Sequence, residues 1–172
     1  MQSEQKSVQR SVVRLVLDTN VVASGLMWDG ATARLFELTT DGPWNVELIC
    51  SQAMLTELRD IIGRRKFSRR LSLKATSADA FVNDYAQRTT LVAPASIPPT
   101  VHEDPDDDIV VATALAGQAH LLVTGDAHLL ALGNVRYVPI VRPAAAITML
   151  GGPKRRSPGR SPPKGGRHPR RL

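Results

Sequence analysis

Short apolar runs rich in β-branched residues alternate with segments of helical period along most of this chain. Strands are indicated at 12–17, 46–50, 89–94, 119–124 and 135–141, and helices at 31–40, 52–65, 67–75, 77–89, 106–118 and 142–150. Helical crossovers join parallel strands and cover both faces of the sheet they form. We therefore predict an α/β fold, a three-layer α/β/α sandwich with a central parallel sheet.

The charge of the chain is unevenly distributed, which separates a folded part from a basic tail. The chain has 22 Lys and Arg against 16 Asp and Glu, and residues 151–172 hold eight of the basic residues and no acidic one. This Pro-, Gly-, Ser- and Arg-rich segment cannot bury enough apolar surface to offset its ordering entropy. We predict a flexible N-terminus at 1–11, a folded domain at 12–150 and a disordered tail at 151–172. The tail either binds a polyanion or is a solubilising extension.

Composition argues against several classes of protein. No stretch approaches 18 consecutive apolar residues, and the polar N-terminus lacks the apolar centre of a signal peptide. Cys50 is the single cysteine, so neither an intrachain disulfide nor a cysteine zinc site is expected. We expect a cytoplasmic protein with no membrane segment.

Two carboxylates directly follow predicted strands. Asp18 ends the stretch "LVLD", and Asp126 ends "LLVTGD". Open α/β sheets bind their ligands in the crevice beyond the carboxyl ends of the strands. Either aspartate alone could simply open a turn or cap the next helix. Two of them in one fold favour a functional site at this edge of the sheet.

A third group of acids lies at the start of a predicted helix. Five acidic residues occupy six positions in "EDPDDD", residues 103–108. Asp104 and Pro105 fit the N-cap and the first helical position. Asp107 lies at the centre of the apolar stripe formed by Val110, Val111, Ala114 and Gln118, so we expect it to point toward the sheet. N-capping explains one or two of these acids. The inward-facing carboxylate needs a cation to offset its charge.

Glu57 is the fourth candidate, in "MLTELRD", where it flanks the apolar face of the 52–62 helix. That face is formed by Met54, Leu58, Ile61 and Ile62, with Ser51 as the expected N-cap. Taken alone, Glu57 fits an ordinary solvated helix residue.

The four acidic motifs, in this order, resemble the PIN domain family, in particular the VapC-type toxins of bacterial toxin–antitoxin pairs. The motifs are "LDTN", "TELRD", "DDDIVVATAL" and "LVTGD", and the resemblance covers about residues 12–148. The subtype resembled carries "DPDD" at the third motif and "TGD" at the fourth, as this chain does.

The resemblance implies a metal-dependent endoribonuclease that hydrolyses RNA phosphodiester bonds. By position, the acidic quartet is Asp18, Glu57, Asp107 and Asp126, with Asp104 and Asp108 as secondary contacts and Asn20 and Thr124 as supporting residues. A site made of oxygen ligands suits Mg²⁺ or Mn²⁺. The resemblance also implies a cognate antitoxin as partner, and we expect a homodimer.

Basic residues could guide the RNA backbone toward this acidic site. Six of them follow the helix that carries Glu57: Arg64, Arg65, Lys66, Arg69, Arg70 and Lys74. An ordinary solvated helix face would have the same composition. With 4% aromatic residues, backbone contact is a better expectation than base stacking.

Two other functions are alternatives to ribonuclease activity. A metal-dependent phosphatase also uses an aspartate after the first strand, but the phosphatases considered need a second acid where this chain has Asn20. A non-catalytic acidic-pocket module of the phospho-receiver kind needs a lysine near the last strands, and no lysine occurs between Lys74 and Lys154.

Overall fold

The computed structural model describes residues 12–27, 30–98, 100 and 105–151. In chain order their elements are β1 (Val12–Leu17), α1 (Thr19–Met27), α2 (Ala31–Asp41), β2 (Asn45–Cys50), α3 (Gln52–Ile62), α4 (Arg65–Leu73), α5 (Ala78–Gln87), β3 (Thr89–Leu91), α6 (Pro105–Ala116), β4 (Leu121–Val123), α7 (Ala127–Leu132), β5 (Asn134–Val135), β6 (Val138–Val141) and α8 (Pro143–Met149). The predicted flexible N-terminus and all but the first residue of the predicted tail lie outside the described residues. None of the described helices is long and apolar enough to cross a membrane.

The strands form one sheet in the order β3-β2-β1-β4-β6-β5. Every neighbouring pair is parallel except β5 and β6, which are antiparallel. Successive side chains of a strand point to opposite faces of the sheet, and helices cover both of these faces. On β2, Ile49 packs against the end of α6, whereas Val46 and Leu48 face α2 and α5. The three-layer α/β/α prediction is confirmed, with a mostly parallel sheet at its centre.

Several local predictions hold. Ser51 caps α3, since its Oγ accepts from Met54 N at 3.4 Å. The apolar face of α3 is buried as expected, and α8 begins with Pro143. The carboxyl half of β1 is fully buried, with 0% exposure at each of its last three residues, Leu15, Val16 and Leu17.

Three local predictions are wrong. The helices α1 and α7, which follow Asp18 and Asp126, were not expected. The run 135–141 is not one strand, because the chain reverses between β5 and β6 at Arg136, which has a φ of 53°. Gln118 does not extend the buried stripe of α6, since it lies beyond the end of that helix and is exposed.

Gly117 lets α6 approach β2 closely. A Cβ built on this residue would overlap the side chain of Ile49. Because a β-branched isoleucine on a buried strand has little freedom to move, Gly117→Ala is expected to lower the free energy of unfolding by about 1–3 kcal/mol through overpacking.

Urea denaturation measures this effect, and Gly125→Ala is the matched control. A Cβ at Gly125 meets nothing within 4 Å, so this variant should stay within about 0.5 kcal/mol of the parent. Equal losses of stability in the two variants would show that the packing of α6 on β2 is not the cause.

Candidate active site

Asp18 follows β1, and it is buried where the parallel strands end. Only 4% of the residue is exposed. Its Oδ2 accepts a hydrogen bond from Thr124 Oγ1 at 2.6 Å, and its Oδ1 accepts from Thr19 Oγ1 at 3.2 Å and Asn20 N at 3.3 Å. No Lys, Arg or His among the described residues forms an ion pair with it. A buried carboxylate without a cationic partner is costly, and a bound cation would offset that cost.

Thr124 joins Asp18 to Asp126 across two adjacent strands. The end of β1 lies beside the end of β4, where Asp18 N donates to Val123 O at 2.9 Å. Thr124 is fully buried, and its Oγ1 accepts from Asp126 N at 3.0 Å while donating to Asp18. One hydroxyl therefore orients both segments. We call this place the carboxyl edge, defined by Asp18, Thr124 and Asp126.

Asp126 is half-buried and caps α7. Its Oδ1 accepts from His128 N at 2.7 Å and from Leu129 N at 3.1 Å. These two bonds explain why a helix begins here, since they satisfy amide groups that a helix start leaves without partners. The capping role expected of an isolated aspartate is thus present. Oδ2 of Asp126 accepts no hydrogen bond from the described residues, which leaves this oxygen free to bind a ligand.

Glu57 lies in the second turn of α3, where it is half-buried and not isolated, since it interacts with another group. The helix packs against both α1 and α6. Glu57 therefore lies on an element that touches the helix following Asp18 and the helix carrying the clustered acids.

Asp107 and Asp108 lie in the first turn of α6, and both are half-buried. Burial therefore does not distinguish them, and both interact with other groups. Asp108 Oδ1 accepts from the backbone N of Thr100 at 2.9 Å, which ties the preceding segment to the helix. Asp104, the expected N-cap, lies outside the described residues.

The described residues do not form a group of three or more acidic, His or Cys side chains close enough to hold a metal ion. Asp18 and Asp126 share the carboxyl edge, while Glu57 lies on α3 and Asp107 on α6. The donor chemistry nevertheless fits a hard divalent cation, because the predicted ligands and their hydroxyl neighbours are all oxygen donors. Cys50 is buried, and burial raises the pKa of its thiol to about 11, so it stays protonated at neutral pH.

The predicted basic residues lie on and just before α4. Phe67 and Leu71 bury one side of this helix. Four of the basic side chains are exposed, Arg70 is half-buried and interacts with another group, and Lys74 is exposed just after the helix. The four exposed residues are Arg64, Arg65, Lys66 and Arg69. They give the outer side of α4 a positive surface.

Two buried hydroxyl groups, at the helices that carry Glu57 and Asp107, were not among the residues that sequence reasoning proposed for the site. Ser51 ends β2 as Asp18 ends β1, and its Oγ lies 3.0 Å from Thr113 Oγ1 of α6. The polar residue following the apolar run "VELIC" was a detectable signal for Ser51, and was interpreted only as a cap. Thr113 had no such signal, because threonine is common in strands and helices alike.

A cavity of about 570 Å³ lies between α2, α5 and β2. Its walls include Phe36, Val46, Leu48, Phe81 and Tyr85, and they include none of the predicted acids. Tyr85 is buried, and in the described part of the chain its hydroxyl has no hydrogen-bond partner.

Comparison with known proteins identifies the family. The family model of the PIN domain matches residues 14–128, which are two thirds of the chain. The chain therefore belongs to this family. Proteins of this family are nucleases that generally use divalent metal ions. A search of curated proteins finds no match.

Two solved structures are similar to this chain. One is VapBC2 from Rickettsia felis bound to a DNA fragment from their promoter, with a TM-score of 0.50 and 14% identity, covering 74% of this chain and 97% of that one. The other is VapBC-1 from nontypeable Haemophilus influenzae, with a TM-score of 0.43 and 14% identity, covering 66% and 87%. The likeness to the first supports the fold.

Proposed function

We propose that this PIN-domain protein is a Mg²⁺- or Mn²⁺-dependent endoribonuclease and the toxin of a type II toxin–antitoxin pair. One observation carries the proposal. The Asp18 carboxylate is 4% exposed, has no cationic partner among the described residues, and lies beside Asp126 at the carboxyl edge. In a family of nucleases, such a carboxylate is a natural ligand for a divalent ion.

Asp18, Glu57, Asp107 and Asp126 are the residues that would hold the ion, with Asp104 and Asp108 as secondary contacts. When bound, the ion would supply Lewis-acid polarisation of a phosphate and activation of a water for in-line attack. Thr124 fixes the orientation of Asp18 by donating to its Oδ2. The two backbone amides on Asp126 Oδ1 turn the other oxygen of that carboxylate away from α7. At Asp18 and Asp126 the chain's own contribution is thus two carboxylates that hydrogen bonds orient.

RNA must approach this acidic edge against electrostatic repulsion. The exposed basic side chains of α4 offer phosphate contacts on a helix that packs against α1, the helix that starts beside Asp18. Contacts of this kind bind the backbone and carry little sequence information. We propose Arg64, Arg65, Lys66, Arg69 and Arg70 as the RNA-binding residues.

We further propose a cognate antitoxin, a homodimer and a location in the cytoplasm, where the RNA substrate is found. A nuclease free in the cell would need control, and the antitoxin would meet that need by covering the acids with an Arg or Lys. VapBC2 of Rickettsia felis, which shares the fold, was solved as a complex with promoter DNA. The neighbouring reading frame should therefore encode a small protein that copurifies with this one.

A substrate panel tests the proposed reaction. Metal-stripped protein is incubated with single-stranded RNA, single-stranded DNA of the same sequence and a generic phosphomonoester, with and without Mg²⁺ or Mn²⁺. Cleavage of RNA in the presence of metal supports the proposal. Turnover of the phosphomonoester alone indicates a phosphatase, and binding without turnover indicates an acidic-pocket module.

The basic tail is expected to strengthen RNA binding. Each phosphate neutralised on a single strand contributes about −0.7 to the slope of log K against log salt. If half of the eight basic residues in 151–172 make contacts, deletion should flatten the slope by roughly 3 units. Fold and cleavage chemistry should be retained, because the segment holds no acidic residue.

The measurement is RNA affinity across a salt series, made on an Asp18→Asn background so that the RNA stays intact. A full-length chain with the eight tail Lys and Arg changed to Gln is the matched control, and it should behave like the deletion. Parallel slopes for tailed and tailless protein would show that the tail does not touch RNA and is a solubilising extension.

A further inference from the structure

Two buried hydroxyl groups connect the helices that carry the predicted acids. Ser51, at the start of α3, and Thr113, in the middle of α6, are both 0% exposed. Their oxygens lie 3.0 Å apart, and Thr113 Oγ1 also lies 2.7 Å from the carbonyl oxygen of Ile109. We call these two side chains the Ser51–Thr113 hydroxyl pair.

Proton counting gives the direction of these bonds. Each hydroxyl carries one proton, so Thr113 cannot donate to both of its neighbours. Ser51 Oγ already accepts from Met54 N, and the shorter contact of Thr113 is to a carbonyl that can only accept. Met54 N therefore donates to Ser51, Ser51 donates to Thr113, and Thr113 donates to Ile109 O. Every polar atom of this chain of bonds is satisfied, as a buried network requires.

In sequence, the chain of bonds begins and ends within three residues of two predicted metal ligands. Met54 precedes Glu57 by three residues on α3, and Ile109 follows Asp107 by two residues on α6. The two helices also pack against each other. The Ser51–Thr113 hydroxyl pair is thus a direct polar link between the element that carries Glu57 and the element that carries Asp107.

A small shift of α6 at this link would move the acidic end of the helix by a larger distance. The other end of the helix is held by the contact of Gly117 with Ile49. With a rise of 1.5 Å per residue, Thr113 lies about 6 Å from Gly117 along the axis, and Asp107 lies about 15 Å from it. If the helix tilts about Gly117, a shift of about 0.5 Å at Thr113 becomes more than about 1 Å at Asp107. A misplacement of about 1 Å can cost about 100-fold in rate.

We infer that Ser51 and Thr113 are positioning residues, which hold the acidic first turn of α6 at the distance from α3 that metal binding and cleavage require. This inference rests on the proposed metal-dependent nuclease function. Neither residue needs to touch substrate or ion.

Thr113→Val and Thr113→Ser make the first test. Valine keeps the shape of threonine and removes the hydroxyl, whereas serine keeps the hydroxyl. We expect Thr113→Val to lose about tenfold or more in Mn²⁺ affinity, measured by titration calorimetry on the folded protein, and a similar factor in kcat for RNA. KM for RNA should change little, because the phosphate contacts lie on α4. Thr113→Ser should recover both losses.

Ser51→Ala makes the second test, and Ser77→Ala is its matched control. Ser77 caps α5 by accepting from Ala80 N at 3.1 Å, so both substitutions remove an N-cap. Only Ser51→Ala should weaken Mn²⁺ binding. The double variant Ser51→Ala/Thr113→Val should be no worse than either single variant, because both remove the same link.

All measurements are made well below the unfolding temperature of each variant. If Thr113→Val and Ser51→Ala unfold at lower temperature but keep the parent's Mn²⁺ affinity and kcat, the hydroxyl pair is only structural and the inference is overturned. The same holds if Thr113→Ser fails to recover function or if Ser77→Ala shows the same losses. If the parent itself neither binds Mn²⁺ nor cleaves RNA, the proposed function has failed, and the inference falls with it before any variant is compared.

Discussion

Asp18→Asn is expected to lower RNA cleavage by about 1,000-fold or more while the protein stays folded. Removal of a charged ligand from the metal site costs several kcal/mol of transition-state stabilisation, and each 1.36 kcal/mol is a factor of ten in rate. Asparagine keeps an oxygen that can accept hydrogen bonds from Thr19 and Asn20. Its NH₂ group cannot accept from the buried Thr124 Oγ1 as Oδ2 does. The substitution also removes a buried charge that has no cationic partner among the described residues, and this gain opposes the lost hydrogen bond. The free energy of unfolding of the metal-free protein should therefore stay within about 1 kcal/mol of the parent.

Added metal should stabilise the parent protein more than the Asp18→Asn variant. A ligand that binds only the folded state at 100 times its Kd stabilises it by about 2.7 kcal/mol. We expect the parent to gain stability of this order with Mn²⁺ and Asp18→Asn to gain far less, as measured by urea denaturation. Equal gains in the two proteins would mean that Asp18 is not a ligand of the ion.

Asp107→Asn is expected to reduce the cleavage rate by about 100-fold, whereas Asp108→Asn should stay within about tenfold of the parent. The two changes are chemically identical and lie next to each other, so each is a control for the other. We predict this difference from the resemblance to the PIN family and from the spacing of Asp107 ahead of Val110 and Val111. Asp108 already accepts the amide of Thr100.

Single-turnover cleavage of a labelled RNA measures both rates without a contribution from product release. In Asp108→Asn the new amide side chain would still offer an oxygen to the backbone N of Thr100, so the stability of that variant should be close to the parent's. Similar rate losses in the two variants would refute the assignment of different roles to these neighbours.

The fold could be predicted from the sequence because the alternation of strands and helices is strong. The strand β1 is an apolar run interrupted only by Arg14, and β2 is one that begins with Asn45 and is interrupted only by Glu47. The helix α3 shows both a serine cap and a clear apolar face. These local signals agree with the tertiary structure, so the three-layer arrangement follows from them.

The helix α1 could not be predicted from local signals, because its sequence favours other structures. Val21 and Val22 are β-branched, and Gly25 is a weak helix former. The structure explains the glycine, since a Cβ there would lie 2.6 Å from the ring of Phe36 on α2. Packing of α1 against α2 thus overrides the local preference, and such packing is absent from the linear sequence.

The turn between β5 and β6 was missed for a similar reason. Tight hairpins usually place Gly, Asn or Asp where φ is positive. Here Arg136 takes that conformation, with a φ of 53°, so the sequence "VRYVPIV" has no turn signal. The strand was predicted as continuous because Val135 and Val138 flank Arg136 and Tyr137 with no Gly, Asn or Asp between them.

The candidate site was partly readable from the sequence. Acids that lie just beyond predicted strands, such as Asp18 and Asp126, could be placed at one edge of the sheet by the topology of α/β folds. The role of Thr124 as a bridge between them depends on the pairing of β1 with β4, and the hydroxyl pair of Ser51 and Thr113 depends on the packing of α3 on α6. Contacts between residues so far apart in the sequence have no local signal.

The most direct test of the proposed function is RNA cleavage by metal-stripped protein as Mn²⁺ is added back, with Asp18→Asn purified and assayed in parallel. The variant reports any contaminating ribonuclease, because it differs from the parent by one side chain at the carboxyl edge. We predict no cleavage without metal, a saturable return of cleavage with Mn²⁺ in the parent, and none in the variant. Cleavage that persists in EDTA, or that proceeds equally in Asp18→Asn, would contradict a metal-dependent nuclease centred on this residue.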